Sequence, residues 1–311
     1  MSVLEDKIKR LLSEKNAVIL AHNYQRPEVQ DIADFAGDSL ELSIKAMKTE
    51  AKVIVFAGVD FMAEQAAILN PEKKVLHPEK ESTCPLAHQL TPEIVDYYRR
   101  KHPKAPLVVY VNSLASVKAK ADYVVTSSSA VKIVSQLDAE AVLFGPDRNL
   151  ASYVAEQTGK TVIPIPPDSH CPVHMKITVD CIKAAKEKYP RAKILVHPEC
   201  TSEVRKLADF IGSTSQMVRA VGSLNAEEYV IGTEVGLLHK IRKEYPSKKA
   251  YPATLEAVCE DMKKITLEKI LRALLEEKYV VAVDKKIADK ARSALERSFE
   301  LLGVEIPWSR K

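Results

Sequence analysis

Glycine is scarce in this 311-residue chain: nine positions, about 3% against a usual ~7%. None of the nine falls in a G-x-G-x-x-G or G-x-x-x-x-G-K-[ST] phrase, so the usual dinucleotide and P-loop cradles are excluded. Any phosphate site has to be built from helix N-termini and hydroxyls instead. An excess of one charge is missing too. The 46 Lys and Arg against 42 Asp and Glu leave +4, with no block of like charges, which argues against nucleic-acid and membrane partners. No apolar run approaches the roughly 18 residues of a membrane span. Met1 to Leu12 is charged and amphipathic and lacks the apolar stretch of a secretory leader, so a cytoplasmic location is expected. The five cysteines, an odd count, then point to metal or redox chemistry rather than a disulfide scaffold.

What the chain does have is a repeat. Val18 to Tyr24, Leu107 to Asn112 and Ile194 to Glu199 each read as a buried strand with a polar end. Setting His22, Tyr110 and His197 in register gives steps of 88 and 87. Twelve residues later come Ala33-Asp34-Phe35, Ala121-Asp122-Tyr123 and Ala208-Asp209-Phe210. Hydroxyl clusters follow at Gly37-Asp38-Ser39, Thr126-Ser127-Ser128 and Ser213-Thr214-Ser215. Second strands are expected at Val53 to Phe56, Ala141 to Phe144 and Tyr229 to Ile231, and shorter third strands around Val75, Val162 and Ala250. Each unit then carries a cysteine (Cys84, Cys171, Cys259) and closes at Thr91-Pro92-Glu93, Thr178-Val179-Asp180 or Thr266-Leu267-Glu268, all good helix starts.

Strands alternating with apolar-periodic helices imply the α/β class: three homologous three-layer α/β/α domains with parallel sheets around a pseudo-threefold axis. The repeats are read as 1–88, 89–175 and 176–266. A 267–311 extension, with a strand at Val280 to Val283 and a charged helix, is expected to pack on one repeat. In such sheets function gathers outside the carboxyl ends of the strands, where His22, Tyr24, Tyr110, Asn112, His197 and Glu199 fall.

Cys84, Cys171 and Cys259 are the cysteines that obey the repeat. Three symmetric thiolates meeting at one axis suit a [4Fe–4S] cube with one iron left open, a Lewis acid rather than an electron carrier. A Cys₃ zinc site satisfies the same count, and spacing alone leaves both open. Cys181 reads as a buried structural cysteine, and Cys200 as a residue that lines the site without ligating.

The phrases Ala21-His22-Asn23-Tyr24-Gln25, Tyr110-Val111-Asn112, Thr126-Ser127-Ser128, His197-Pro198-Glu199-Cys200, Gly212-Ser213-Thr214, Ile231-Gly232-Thr233-Glu234-Val235-Gly236 and Cys259-Glu260-Asp261-Met262-Lys263-Lys264-Ile265-Thr266 together resemble the quinolinate synthases, essentially end to end. Two departures stand out. Thr83 replaces the glycine that many members place before the first cysteine, and Cys259 stands alone where some carry C-x-x-C-x-x-C.

The resemblance implies an enzyme of de novo NAD biosynthesis. It would hold a [4Fe–4S] cluster on Cys84, Cys171 and Cys259 and condense iminoaspartate (iminosuccinate) with dihydroxyacetone phosphate. It also implies cluster-assembly machinery and an upstream aspartate-oxidising enzyme as partners. Both substrates are anions, so Ser39, Ser127, Ser213 and Thr214 are candidate binders at helix starts, although plain capping is an equally simple role. His22 and His197 would bind carboxylates or carry protons. Tyr24 and Glu199 form the leading acid–base pair, with Tyr110, Val111, Asn112 and Pro198 around the imino acid and His174 near the cluster. Two rival readings are another iron–sulfur hydro-lyase acting on a small carboxylic acid, and a metal-clamped ligand or oxygen sensor.

Overall fold

A computed structural model describes residues 3–308. The first sheet holds β1 (Ala17–His22), β2 (Phe35–Gly37), β3 (Val53–Ala57) and β4 (Lys74–Leu76). The second holds β5 (Leu107–Tyr110), β6 (Tyr123–Val125), β7 (Ala141–Gly145) and β8 (Thr161–Pro164). The third holds β9 (Lys193–Val196), β10 (Phe210–Ile211), β11 (Glu228–Gly232) and β12 (Lys249–Pro252). Every pairing within the sheets is parallel, and the strand order is the same in each: β2-β1-β3-β4, β6-β5-β7-β8 and β10-β9-β11-β12. Register repeats as well, with Leu20 opposite Phe35, Val108 opposite Tyr123 and Leu195 opposite Phe210.

The central strands are near-continuous apolar runs because helices cover both faces. Around β1, Ile19 and Ala21 pack with Ile8, Leu12, Ile270 and Leu274, while Leu20 faces Leu42, Ile54 and Phe61. In the third sheet Ile194 and Val196 enter one core, and Leu195 and Ile231 another. The chain is thus three three-layer α/β/α domains of one design, arranged about a pseudo-threefold axis.

The repeated Ala-Asp-aromatic phrase now has a physical cause. The Asp34, Asp122 and Asp209 carboxylates accept the strand N–H of Ile19, Leu107 and Ile194 at 2.7, 2.7 and 2.8 Å. Their own N–H groups return a bond to the carbonyls of the same three residues. Leaving such a buried strand group unpaired would cost roughly 1–3 kcal/mol. The phrase also opens β2, β6 and β10, a fourth strand per sheet that the sequence reading missed. At two or three residues these strands are too short to show a period of two.

Thr91, Thr178 and Thr266 cap the helices Pro92–Lys101, Val179–Lys188 and Leu267–Glu276, as the sequence suggested. The last of these packs back on the helix Val3–Glu14 and on β3 of the first sheet. The strand expected at Val280 to Val283 is absent. A single antiparallel bridge joins Val280 to Leu76, after which the chain leaves the sheet edge so that Asp284 caps the helix Lys285–Leu302. That helix lies along β6, where Ser298 Oγ accepts the Val124 N–H at 2.9 Å. It also sends Arg292 to the Ile68 carbonyl of the first sheet's helix Asp60–Leu69. It therefore spans two repeats where packing on one was expected.

Candidate functional site

The carboxyl ends of β1, β5 and β9 open into one cavity, whose wall includes Cys84, Cys171 and Cys259. Each cysteine sits in the loop after the last strand of its sheet (β4, β8 or β12), and all three are free thiols with partial exposure. Burial pushes the Cys84 and Cys171 thiols well above their ordinary range and Cys259 up to about 11. Left alone they hold their protons, and a bound metal would displace them.

The strand ends are built alike. His22 Nδ1 accepts the Tyr24 N–H at 3.2 Å, and His197 Nδ1 accepts the Glu199 N–H at 3.3 Å. Each ring therefore carries its proton on Nε2, and in His197 that nitrogen meets Ser127 Oγ at 3.2 Å. Burial, helped by Lys263 at His22 and by His174 at His197, lowers both rings to about 3 and keeps them neutral. Neutral imidazoles of this tautomer donate hydrogen bonds into the cavity.

Glu199 is almost fully buried, with Oε2 2.7 Å from His174 Nδ1 and 3.6 Å from His197 Nδ1. Burial alone would raise this carboxyl, but His174 beside it, then His197 and Tyr110, outweigh that and hold it well below the usual carboxylate range. His174 Nε2 lies 2.9 Å from Thr233 Oγ1, which is 2.6 Å from the Tyr24 hydroxyl. A continuous polar path thus joins the phenol to the carboxylate. Burial and the Glu199 charge raise the Tyr24 and Tyr110 phenols well above their ordinary value, so both stay protonated. Thr233 was not singled out for a role by the sequence, although it stands in the phrase Gly232-Thr233-Glu234.

The hydroxyls are not plain caps. Ser39 and Thr214 are the first residues of the helices Ser39–Lys48 and Thr214–Ser223, and the capping is done by their neighbours Asp38 and Ser213. Ser127 likewise precedes Ser129, which holds the N-cap position of Ala130–Gln136 while its hydroxyl accepts the Thr126 N–H at 2.9 Å. Ser39, Ser127 and Thr214 are thereby freed to line the cavity, together with Tyr110, Val111 and Asn112. Two predicted residues are not on that wall. Ser213 Oγ donates to Asp38 Oδ2 at 2.9 Å, and the Pro198 carbonyl accepts from Arg205. Asp38 lines the cavity unforeseen. Cys200 lies wholly in the apolar core of the third domain rather than on the cavity, and Cys181 is half-exposed in a first helical turn rather than buried.

The residues present fit a metal centre. Three sulfurs share one wall, and the ligand atoms of Cys171, His174 and Glu199 lie within 4.8 Å of one another. Glu199 Oε1 makes no hydrogen bond among the described residues, so a buried polar atom remains for an occupant. No described helix is long and apolar enough to cross a membrane.

Comparison with known proteins agrees with this architecture. The family model described as "NadA: Quinolinate synthetase A protein" matches residues 6–300. The chain is 55% identical over 301 residues to a quinolinate synthase of Pyrococcus abyssi, covering 97% of this chain and 100% of the relative. It is 54% identical to one from Methanocaldococcus jannaschii (97% and 99% covered) and 52% identical to one from Thermotoga maritima (96% and 99% covered).

Proposed function

The chain belongs to the quinolinate synthetase A family, and from that premise we propose that it is a quinolinate synthase of de novo NAD biosynthesis. It would condense iminoaspartate with dihydroxyacetone phosphate to give quinolinate, phosphate and two waters. The observation that carries this reading is the meeting of Cys84, Cys171 and Cys259, one from each proposed repeat (1–88, 89–175, 176–266), on the wall of a single cavity.

The three cysteines would hold a [4Fe–4S] cluster. When bound, it supplies a Lewis-acidic iron without a protein ligand, suited to polarising a substrate oxygen or nitrogen. The rest of the chemistry falls to side chains. Ser39, Ser127 and Thr214, each at or just before a helix start, would receive carboxylate and phosphate oxygens. His22 and His197, neutral and donating through Nε2, would fix carboxylates, and Tyr110, Val111 and Asn112 would orient the imino acid. Glu199 is the anionic base of the site and Tyr24 the protonated acid. The path through Thr233 and His174 lets a proton taken by one be returned by the other. Cluster-assembly machinery and an aspartate-oxidising enzyme upstream are the partners this reading requires, and the cytoplasm is its setting.

Anaerobic iron and sulfide analysis of the parent and of Cys84→Ser, Cys171→Ser and Cys259→Ser tests the centre. Four irons with matching sulfide in the parent, lost in each variant, are expected, with quinolinate formed only when both substrates are supplied. The close grouping of Cys171, His174 and Glu199 favours a second reading, a single divalent ion. One zinc without sulfide would establish it and remove the cluster.

A further inference from the structure

Three carboxylates the site does not otherwise use recur at steps of 87: Asp60, Asp147 and Glu234. Each stands just after the second long strand of its sheet, β3, β7 or β11, at the start of the following helix. Each accepts the backbone N–H of the cysteine in its own sheet's loop. Cys84 N–H meets Asp60 Oδ1 at 3.0 Å, Cys171 N–H meets Asp147 Oδ2 at 3.0 Å, and Cys259 N–H meets Glu234 Oε1 at 3.1 Å. The third loop is one residue longer, and the third carboxylate is one methylene longer. The bond is kept although the sequence around it changes.

These carboxylates are themselves held. Asp60 Oδ2 lies 2.6 Å from His88 Nε2, Asp147 Oδ1 accepts the Leu150 N–H at 2.7 Å, and Glu234 Oε2 accepts the Gly236 N–H at 2.7 Å. The backbone just behind each is gripped by a buried donor of the next repeat. Lys118 Nζ reaches the Phe61 carbonyl (3.4 Å), Arg205 Nη1 the Asn149 carbonyl (3.1 Å) and Gln30 Nε2 the Gly236 carbonyl (3.0 Å). Gln30, Lys118 and Arg205 step by 88 and 87, so the grip runs once around the axis. All three are almost wholly buried.

We propose that Asp60, Asp147 and Glu234 are positioning residues, each fixing the direction of one cysteine so that the three sulfurs address a common centre. A backbone N–H tied to a held carboxylate restrains the loop that presents the thiol. This rests on the proposed role of the cysteines as metal ligands.

The test replaces each carboxylate by Ala and by its amide, and follows iron release to a chelator from anaerobically reconstituted protein by visible absorption. Asp34→Ala, Asp122→Ala and Asp209→Ala are the controls, since those carboxylates also accept one backbone N–H but sit far from the cysteines in the chain. Loss of an outer partner of a metal ligand typically weakens retention about 10–100-fold, and release at least about tenfold faster is expected from Asp60→Ala, Asp147→Ala and Glu234→Ala. The controls should keep the parent's rate whatever their melting temperature. Asp60→Asn, Asp147→Asn and Glu234→Gln retain an acceptor oxygen and should restore most of the retention. Should Asp147→Ala fail to fold for want of its helix cap, Asp60→Ala carries the same reading. Ala variants as retentive as the parent, controls as labile as the Ala variants, or amides as labile as the Ala variants each overturn the inference while leaving the cysteine ligands standing. A parent that holds no iron overturns both.

Discussion

The ends of β1 and β9 are the same piece of backbone put to different use. In both, a buried histidine accepts through Nδ1 the N–H two residues on, and in both burial keeps the ring neutral. The residue whose N–H is accepted is Tyr24 in the first repeat and Glu199 in the third, and Asn112 occupies the corresponding place in the second. A protonated phenol, an amide and an anionic carboxylate are thus presented to one cavity from equivalent positions. Under the proposed function, threefold symmetry would serve the metal centre, which needs three like donors, and departure from it would serve a reaction between two unlike substrates.

The sharpest break of that comparison is Glu199→Gln, which keeps the shape of the third strand end and removes its charge. Positioned acid–base groups contribute about 10²–10⁴-fold, and a fall of that order in quinolinate formation is expected at an iron content matched to the parent. Tyr24→Phe, which removes the hydroxyl that meets Thr233, should fall in the same range. Unchanged turnover in either variant would remove that residue from the acid–base pair and leave the difference between the two strand ends without a chemical purpose.

A smaller effect separates the middle residues of the same turns: Asn23, Val111 and Pro198. Asn23 is wholly buried, and its Nδ2 donates to Thr214 Oγ1 at 2.9 Å, joining the first domain to the helix start of the third. Asn23→Leu strands that hydroxyl in a buried interface and should cost roughly 1–3 kcal/mol in urea unfolding. Pro198→Ala, whose change acts chiefly on the freedom of the unfolded chain, should cost under about 1 kcal/mol. Equal losses would mean that the first and third strand ends are tied to their neighbours alike.

These contrasts also mark what the sequence made legible. The strands that carry His22, Tyr110 and His197 were readable because burial on both faces writes them as apolar runs, and the cysteines because they keep step with those runs. Tyr24, Glu199 and His174 were placed near one another by chemistry and resemblance, and the structure brings them onto one polar path. Thr233, the middle of that path, gave no signal, because a lone threonine after a strand is ordinary. Asp60, Asp147 and Glu234 kept perfect step in plain view, yet one of the three is a different residue type. Their partner is a backbone N–H about two dozen positions on, which no motif records. Capping by Asp38 and Ser213 rather than by Ser39 and Thr214 is a shift of one residue, within the slack of any reading of helix starts.

The smallest prediction asks whether the scaffold, as opposed to its chemistry, is symmetric. In the folded chain the His22 and His197 rings stay neutral down to about pH 3, whereas in the unfolded chain each takes up a proton below its ordinary pKa of 6.5. Between those values the unfolded state binds more protons, so stability is fullest above pH 6.5 and falls as the medium is acidified. From pH 7 to pH 6 each ring accounts for roughly 0.7 kcal/mol of that fall. His22→Gln and His197→Gln should each remove one such share from the pH dependence of the unfolding free energy, and by equal amounts, since both rings sit in the same turn. A variant that leaves the slope unchanged would show its ring already charged in the fold. Unequal shares would show that Glu199, whose Oε2 lies 3.6 Å from His197 Nδ1, reaches into the scaffold as well as into the chemistry.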